Sequence, residues 1–193
     1  MSVRGTLSAV AIALTLIAFF PYIRSILAGT TRPHVFSWLI WGITTCLVFL
    51  AQLAGGGGIG VWPIGVSGIV TLQIALLAWI RRADVTITVA DRLFFGAALA
   101  ALPLWYLTAD PLWAVAVLTL VDVLGFGPTV RKAYVQPGSE SLTFFALFAL
   151  RNGLVILALE RYSLTTVLYP AVIGVACLLL IALTAWRRMA GGR

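Results

Sequence analysis

Four long stretches of this chain carry no charged side chain: residues 5–23, 33–80, 93–109 and 162–186 contain no Asp, Glu, Lys or Arg. About 20 apolar residues in helical form cross the hydrocarbon core of a bilayer, so such stretches read as transmembrane helices. At a rise of about 1.5 Å per residue, spans fit near 6–28, 35–54, 59–80, 91–108, 112–135, 141–159 and 164–187. The connections are short and hold chain breakers: Gly29-Thr30-Thr31-Arg32-Pro33, Gly55-Gly56-Gly57-Gly58, Ala109-Asp110-Pro111 and Gln136-Pro137-Gly138-Ser139. The expected fold class is an all-α integral membrane protein with seven transmembrane helices and no soluble domain.

Composition agrees. The chain is 62% apolar and 10% charged, against about 45–50% and about 25% for a soluble domain. Its net charge of +7 does not point to nucleic acid, because the basic residues sit between apolar blocks instead of forming a patch. They report orientation. Arg24, Arg32, Arg81, Arg82, Arg92, Arg131, Lys132, Arg187, Arg188 and Arg193 fall on one side, while Arg4 and Arg161 fall on the other. The positive-inside rule then places the C-terminus in the cytoplasm and the N-terminus outside, in a multi-pass protein of the cell's inner (plasma) membrane. Arg4 and the apolar run after it could pass for a signal peptide, but no small-residue cleavage site follows, so the run is read as the first span. Cys46 and Cys177 both lie inside apolar blocks and read as small buried hydrophobes, not as a disulfide or metal pair.

The sequence matches itself at one constant offset of 107 residues: Pro21 falls on Pro128, Arg24 on Arg131, Pro63 on Pro170, Trp79 on Trp186 and Arg81 on Arg188. Phe19 on Phe126 and Trp62 on Tyr169 agree. Spans 1–3 therefore repeat as spans 5–7. With a single span between them the two units enter the membrane in the same direction, which predicts two parallel three-helix bundles joined by a linker helix: residues 1–82, 83–110 and 111–193. Parallel repeats of this kind place a substrate site at the repeat interface of transporters. Pro21, Pro128, Pro63 and Pro170 are candidate hinges, with static kinks that aid packing as the alternative.

A Pro-x-x-Arg segment, a short polar loop and a Ser/Thr and aromatic restart occur twice. The residues run from Pro21-Tyr22-Ile23-Arg24 to Ser37-Trp38, and from Pro128-Thr129-Val130-Arg131 to Ser141-Leu142-Thr143. This pattern around a lone fourth helix resembles the SWEET and PQ-loop family of seven-helix transporters. The resemblance implies a carrier of a small polar solute such as a sugar, working by alternating access between the two units. In SWEET carriers an Asn in the third helix of each unit contacts the sugar, and the matching positions here are Ser67 and Gly174. The same group contains cargo-retrieval receptors, so a non-transporting membrane receptor or scaffold on this fold is the alternative function.

Charged groups at membrane depth are functional candidates by default, since each costs about 2.5–3.5 kcal/mol even on the lenient insertion scale. Asp122 and Arg151 each lie roughly 15 Å deep by helical rise. Antiparallel neighbours would bring them level, which predicts an Asp122–Arg151 ion pair with Asn152 beside it. The pair could bind an anionic substrate, cycle a proton on Asp122, or lock two helices together. At the repeat offset, Asp122 corresponds to Thr15 and Arg151 to Thr44, so the first unit holds hydroxyls where the second holds charges. Trp38 and Trp41 share a helix face and are candidate floor residues of a cavity, matched by Phe145 and Phe148. Gln52, Ser67, Thr71, Gln73, Tyr169 and Thr184 are further polar residues at depth. His34, the only histidine, reads as a solvated loop residue.

Nothing points to an enzyme or a cofactor. The chain has no HExxH, GxSxG or Walker-type loop, and its only lysine, Lys132, is not in the last span where a retinal Schiff base would need it. The expected partners are a small-molecule solute and membrane lipid, with no nucleic acid. Oligomeric state is left open, a homo-oligomer included.

Overall fold

The structure, a computed structural model, describes residues 2–31, 33–81, 87, 89–139 and 141–191. Among these residues it is all-α. Helices α1 (Val3–Leu27), α2 (Val35–Ala54), α3 (Trp62–Ile80) and α4 (Val89–Thr108) are followed by α5 (Pro111–Gly125), α6 (Gly127–Val135), α7 (Leu142–Ala158) and α8 (Leu164–Gly191). A 3₁₀ turn, Gly58–Val61, leads into α3. Five helical stretches are long and apolar enough to cross a membrane: Val3–Leu27, Val35–Ala54, Gly58–Ile80, Pro111–Val135 and Leu164–Ala190. Two shorter apolar helices, Arg92–Thr108 and Leu142–Ala158, accompany them.

The polarity of the fold is that of a membrane-embedded protein. Phe20, Ile69 and Leu179 are more than half exposed, at 64%, 56% and 65%, whereas Thr44, Gln52, Arg151 and Asn152 are at most 2% exposed. Water would not tolerate that apolar exterior on a monomer of this size, and lipid does.

Local chemistry starts the helices where the sequence changes character. Ser2 caps α1 by accepting from the Gly5 amide, Asp110 caps α5 by accepting from Leu112, and Ser141 caps α7 by accepting from Phe144. His34 differs from its sequence reading: its Nδ1 accepts from the Ser37 amide at 3.3 Å, so it caps α2.

The helices gather into two sets, α1–α3 and α5–α8: α3 packs on both α1 and α2, and α8 on both α5 and α7. Close approach between α2 and α3 needs glycine. A Cβ at Gly68 would stand 2.6 Å from Cys46 Sγ, and one at Gly42 would stand 2.5 Å from a Leu72 methyl. Between the sets, α1 packs against α7 and α2 against α5. Helix α4 packs on α5 and α2.

The candidate hinge prolines fall into different settings. Pro21 and Pro170 lie inside the continuous helices α1 and α8. Pro63 stands in the first turn of α3, where its missing N–H costs nothing and no bend results. It is a helix-start residue, not a kink within a helix. The fifth predicted span is interrupted: α5 ends at Gly125, Phe126 forms a turn, and α6 begins at Gly127. Pro128 lies in α6, but its side chain is outside the described part of the structure. Pro103, inside α4, was not singled out from the sequence.

Candidate functional site

A cavity of about 680 Å³ opens between the two sets of helices. Trp38 and Trp41 from α2 line it together with Phe145 and Phe148 from α7, as their helical spacing suggests. Phe19 joins the walls, its ring centroid 6.4 Å from Trp38 and 5.3 Å from Phe148. Tyr22 stacks on Trp38 at 4.9 Å. Polar lining comes from Thr45, Ser67, Thr71, Asp122 and Tyr169. The cavity reaches Ser25, Thr129 and Ser141, which lie beside Arg24 and Arg131 in the sequence.

Asp122 sits at the inner end, 5% exposed. Its partner is not Arg151. Thr44 Oγ1 donates to Asp122 Oδ1 at 2.8 Å and Tyr169 OH donates to Oδ2 at 3.0 Å. Thr44 Oγ1 also lies 3.0 Å from the Trp41 carbonyl oxygen. Tyr169 OH is in turn 3.4 Å from Thr45 Oγ1. Thr44 and Thr45 come from α2, Asp122 from α5 and Tyr169 from α8, so this cluster ties both sets together at mid-depth. A carboxylate accepting charge-assisted bonds from two hydroxyls keeps much of the stabilisation that water would provide.

Arg151 is held elsewhere. Its Nη2 donates to the Pro63 carbonyl at 2.8 Å and its Nη1 to Asn152 Oδ1 at 3.0 Å. Asn152 Nδ2 donates to the Phe148 carbonyl at 2.8 Å. The guanidinium carbon lies 5.6 Å from the Phe148 ring centroid, within cation–π range. The expected Asp122–Arg151 ion pair therefore does not form. Depth along each helix was estimated from sequence, but α5 and α7 are not simple neighbours: α8 packs against both and offers Tyr169 to Asp122 first.

Of the residues singled out in the sequence, Trp38, Trp41, Ser67, Asp122 and Pro21 line the cavity. Thr44 touches Asp122 from behind. Arg151, Asn152, Pro63 and Pro170 lie outside the lining. Phe19, Tyr22 and Thr45 were missed as site residues, and Tyr169 was noted only as a polar residue at depth. The repeat offset could have misled for Tyr169: it matches Trp62, which is 51% exposed, whereas Tyr169 is 6% exposed.

Away from Ser25 and Ser141, the two sets are joined at the opposite end. Gln52 Nε2 donates to the Thr166 carbonyl at 2.8 Å, the Ile59 amide to Glu160 Oε1 at 3.1 Å, and the Glu160 amide to the Gly57 carbonyl at 3.2 Å. Within the first set, Ser8 on α1 donates to the Ile59 carbonyl at 2.8 Å. The glycine run makes this contact possible. Gly58 has φ +62°, and a Cβ there would overlap the Glu160 carboxyl group; a Cβ on Gly60 would overlap the Ala158 backbone.

The chain matches no protein family, no curated protein and no solved structure.

Proposed function

We propose that this protein is a transporter of a small polar solute, a facilitator or a proton-coupled carrier, that alternates access to the cavity between its two sets of helices. In this reading α4 is the linker helix, α5 and α6 together form one span, and the seven spans make two parallel three-helix units over residues 1–82 and 111–193. Helix α7, with 17 residues, extends roughly 26 Å at 1.5 Å per residue, at the lower limit for a span. The equivalent packing of α3 and α8, each between its two partners, supports the repeat, as does the constant 107-residue offset.

The observation that carries the proposal is the asymmetry of the cavity. It is bounded at the Gly57–Ile59 end by hydrogen bonds between the sets, and it extends to Ser25, Thr129 and Ser141 at the other. The latter end carries most of the Lys and Arg residues, which the positive-inside rule puts in the cytoplasm, with the N-terminus outside. The conformation is then the inward-facing one of a rocking carrier. A site of this volume suits a small molecule. Asp122, held by a residue from each set, is the group whose protonation would couple to the movement.

Purified protein in liposomes tests this directly. A panel of labelled sugars, amines, amino acids and organic acids should include one that moves down its gradient. An Ile59→Cys/Glu160→Cys pair, oxidised to hold that end shut, should stop the flux. Asp122→Asn should abolish any dependence of uptake on a pH gradient; uptake that keeps this dependence rules out Asp122 as the coupling group. Specific binding of a peptide or protein with no flux of any solute in the panel would favour a receptor on the same fold.

A further inference from the structure

Resting on the carrier reading for the role of the cavity, we infer that its ligand is a small organic ammonium ion and not a sugar or an anion. Asp122 is the one charged side chain among the described residues lining the cavity. Its carboxylate offers about four acceptor positions. Thr44 and Tyr169 each occupy one, and because both are neutral hydroxyls they leave the negative charge without a cation to balance it. An anion placed in the same space would meet that carboxylate with no cation in the described lining to offset it. Arg151 is outside the lining and committed to the Pro63 carbonyl and Asn152.

The walls carry the second half of the argument. Tyr22, Trp38, Trp41, Phe19, Phe144 and Phe148 all line the cavity, and they form one connected set of rings. Tyr22 meets Trp38 at 4.9 Å, Trp38 meets Trp41 at 5.7 Å, and Phe144 meets Phe148 at 4.6 Å between centroids. Phe19 links the two sides, 6.0 Å from Phe144. Ring faces are electronegative, and an aromatic enclosure is the usual device for recognising quaternary and substituted ammonium groups. A polyol needs paired donors and acceptors on several hydroxyls. The described lining has no Asn or Gln amide; its hydroxyls are spread over both sets of helices, and those of Ser25 and Thr71 already donate to the Tyr22 and Ser67 carbonyls. A cation bearing one polar tail needs only one of these hydroxyls.

Choline and 3,3-dimethylbutan-1-ol make the deciding pair of probes, since they share shape and differ in the charge at the quaternary centre. Binding to the full chain in lipid nanodiscs is read by calorimetry and by the fluorescence of its tryptophans. The expected result is choline bound about tenfold or more tightly than the alcohol, a preference of the size cation–π and charge pairing supply. Asp122→Asn should reduce the ratio to about twofold or less, and Trp38→Leu should weaken choline several-fold more than the alcohol. Equal affinities, no binding of either probe, or tighter binding of glucose than of choline would each overturn the inference. Should Asp122→Asn fail to fold, the wild-type ratio and Trp38→Leu decide the matter without it. Liposome flux separates the two levels: choline preference without flux of any solute overturns the carrier and keeps the cation site. Glucose flux without choline preference does the reverse.

Discussion

The first and second sets of helices have the same sequence plan and different chemistry. Helix α1 runs unbroken through Pro21, whereas its counterpart is interrupted at Phe126 between α5 and α6. The first set buries Thr15 and Thr44 at the positions where the second buries Asp122 and Arg151. Thr15 Oγ1 donates within its own helix, to the Ala11 carbonyl, while Thr44 reaches across to Asp122. The difference teaches a division of labour. One set holds the charges, which are costly in lipid, and the other supplies the hydroxyl, the carbonyl of Pro63 and the glycine backbone that make those charges and the closed end tolerable.

The largest test of this division is to make the two sets alike. On the proposed carrier function, Asp122→Asn should lower transport about a hundredfold, some 2.7 kcal/mol in the cycle, while the protein still folds because Asn keeps an acceptor for Thr44 or Tyr169. Initial uptake rates in liposomes measure it, and a change below about twofold would mean the charge asymmetry has no bearing on transport. Next, Gly60→Val should disfavour the closed end by about 2 kcal/mol, since the Ala158 backbone it would strike cannot yield as a side chain can. Labelling of a Ser67→Cys variant by a membrane-impermeant thiol reagent applied from outside should rise accordingly.

Smaller effects sharpen the contrast. Thr44→Ala removes one of the hydroxyl donors to Asp122 and should cost about 1.5 kcal/mol of stability. A double-mutant cycle with Asp122→Ala should recover most of that as coupling; coupling near zero would mean the two sets are not tied at this point. Gly127→Ala should matter least. Among the described residues, nothing beyond its chain neighbours and its own helix backbone lies within 4 Å of the added methyl, so it changes chiefly helix propensity, by about 1 kcal/mol. If the interruption at Phe126 is a working joint, turnover should fall by a few-fold with affinity unchanged, and Pro21→Ala in the unbroken α1 should alter turnover less.

Much of the fold was legible because apolar length and breakers report directly on where helices begin and end. The expected span 35–54 coincides with α2, and 141–159 with α7 and its cap. Burial of Asp122 and Arg151 was also legible, since a charge in the middle of an apolar run has to be enclosed. Their partners were not. Residue counting gives depth along a helix but neither the facing direction nor the neighbour, and the insertion of α8 between α5 and α7 redirected Asp122 to Tyr169. Repeat matching also equates positions whose local setting differs: Pro170 is inside α8, while Pro63 opens α3 after a 3₁₀ turn. The aromatic walls were half visible. Trp38 and Trp41 advertise themselves by spacing on one helix, but Phe19 and Tyr22 meet them only through the packing of separate helices.

Thr44 has one hydroxyl hydrogen and two acceptors within reach, Asp122 Oδ1 at 2.8 Å and the Trp41 carbonyl at 3.0 Å. When Asp122 is ionised the hydrogen belongs to the carboxylate. When Asp122 is protonated it becomes the donor, and Thr44 is free to turn its own hydrogen back onto helix α2. The bridge between the two sets then survives in either state with its direction reversed. A change of charge at the centre of the protein can thus be accommodated by the rotation of a single hydroxyl, with no polar atom of the bridge stranded in the low-dielectric interior.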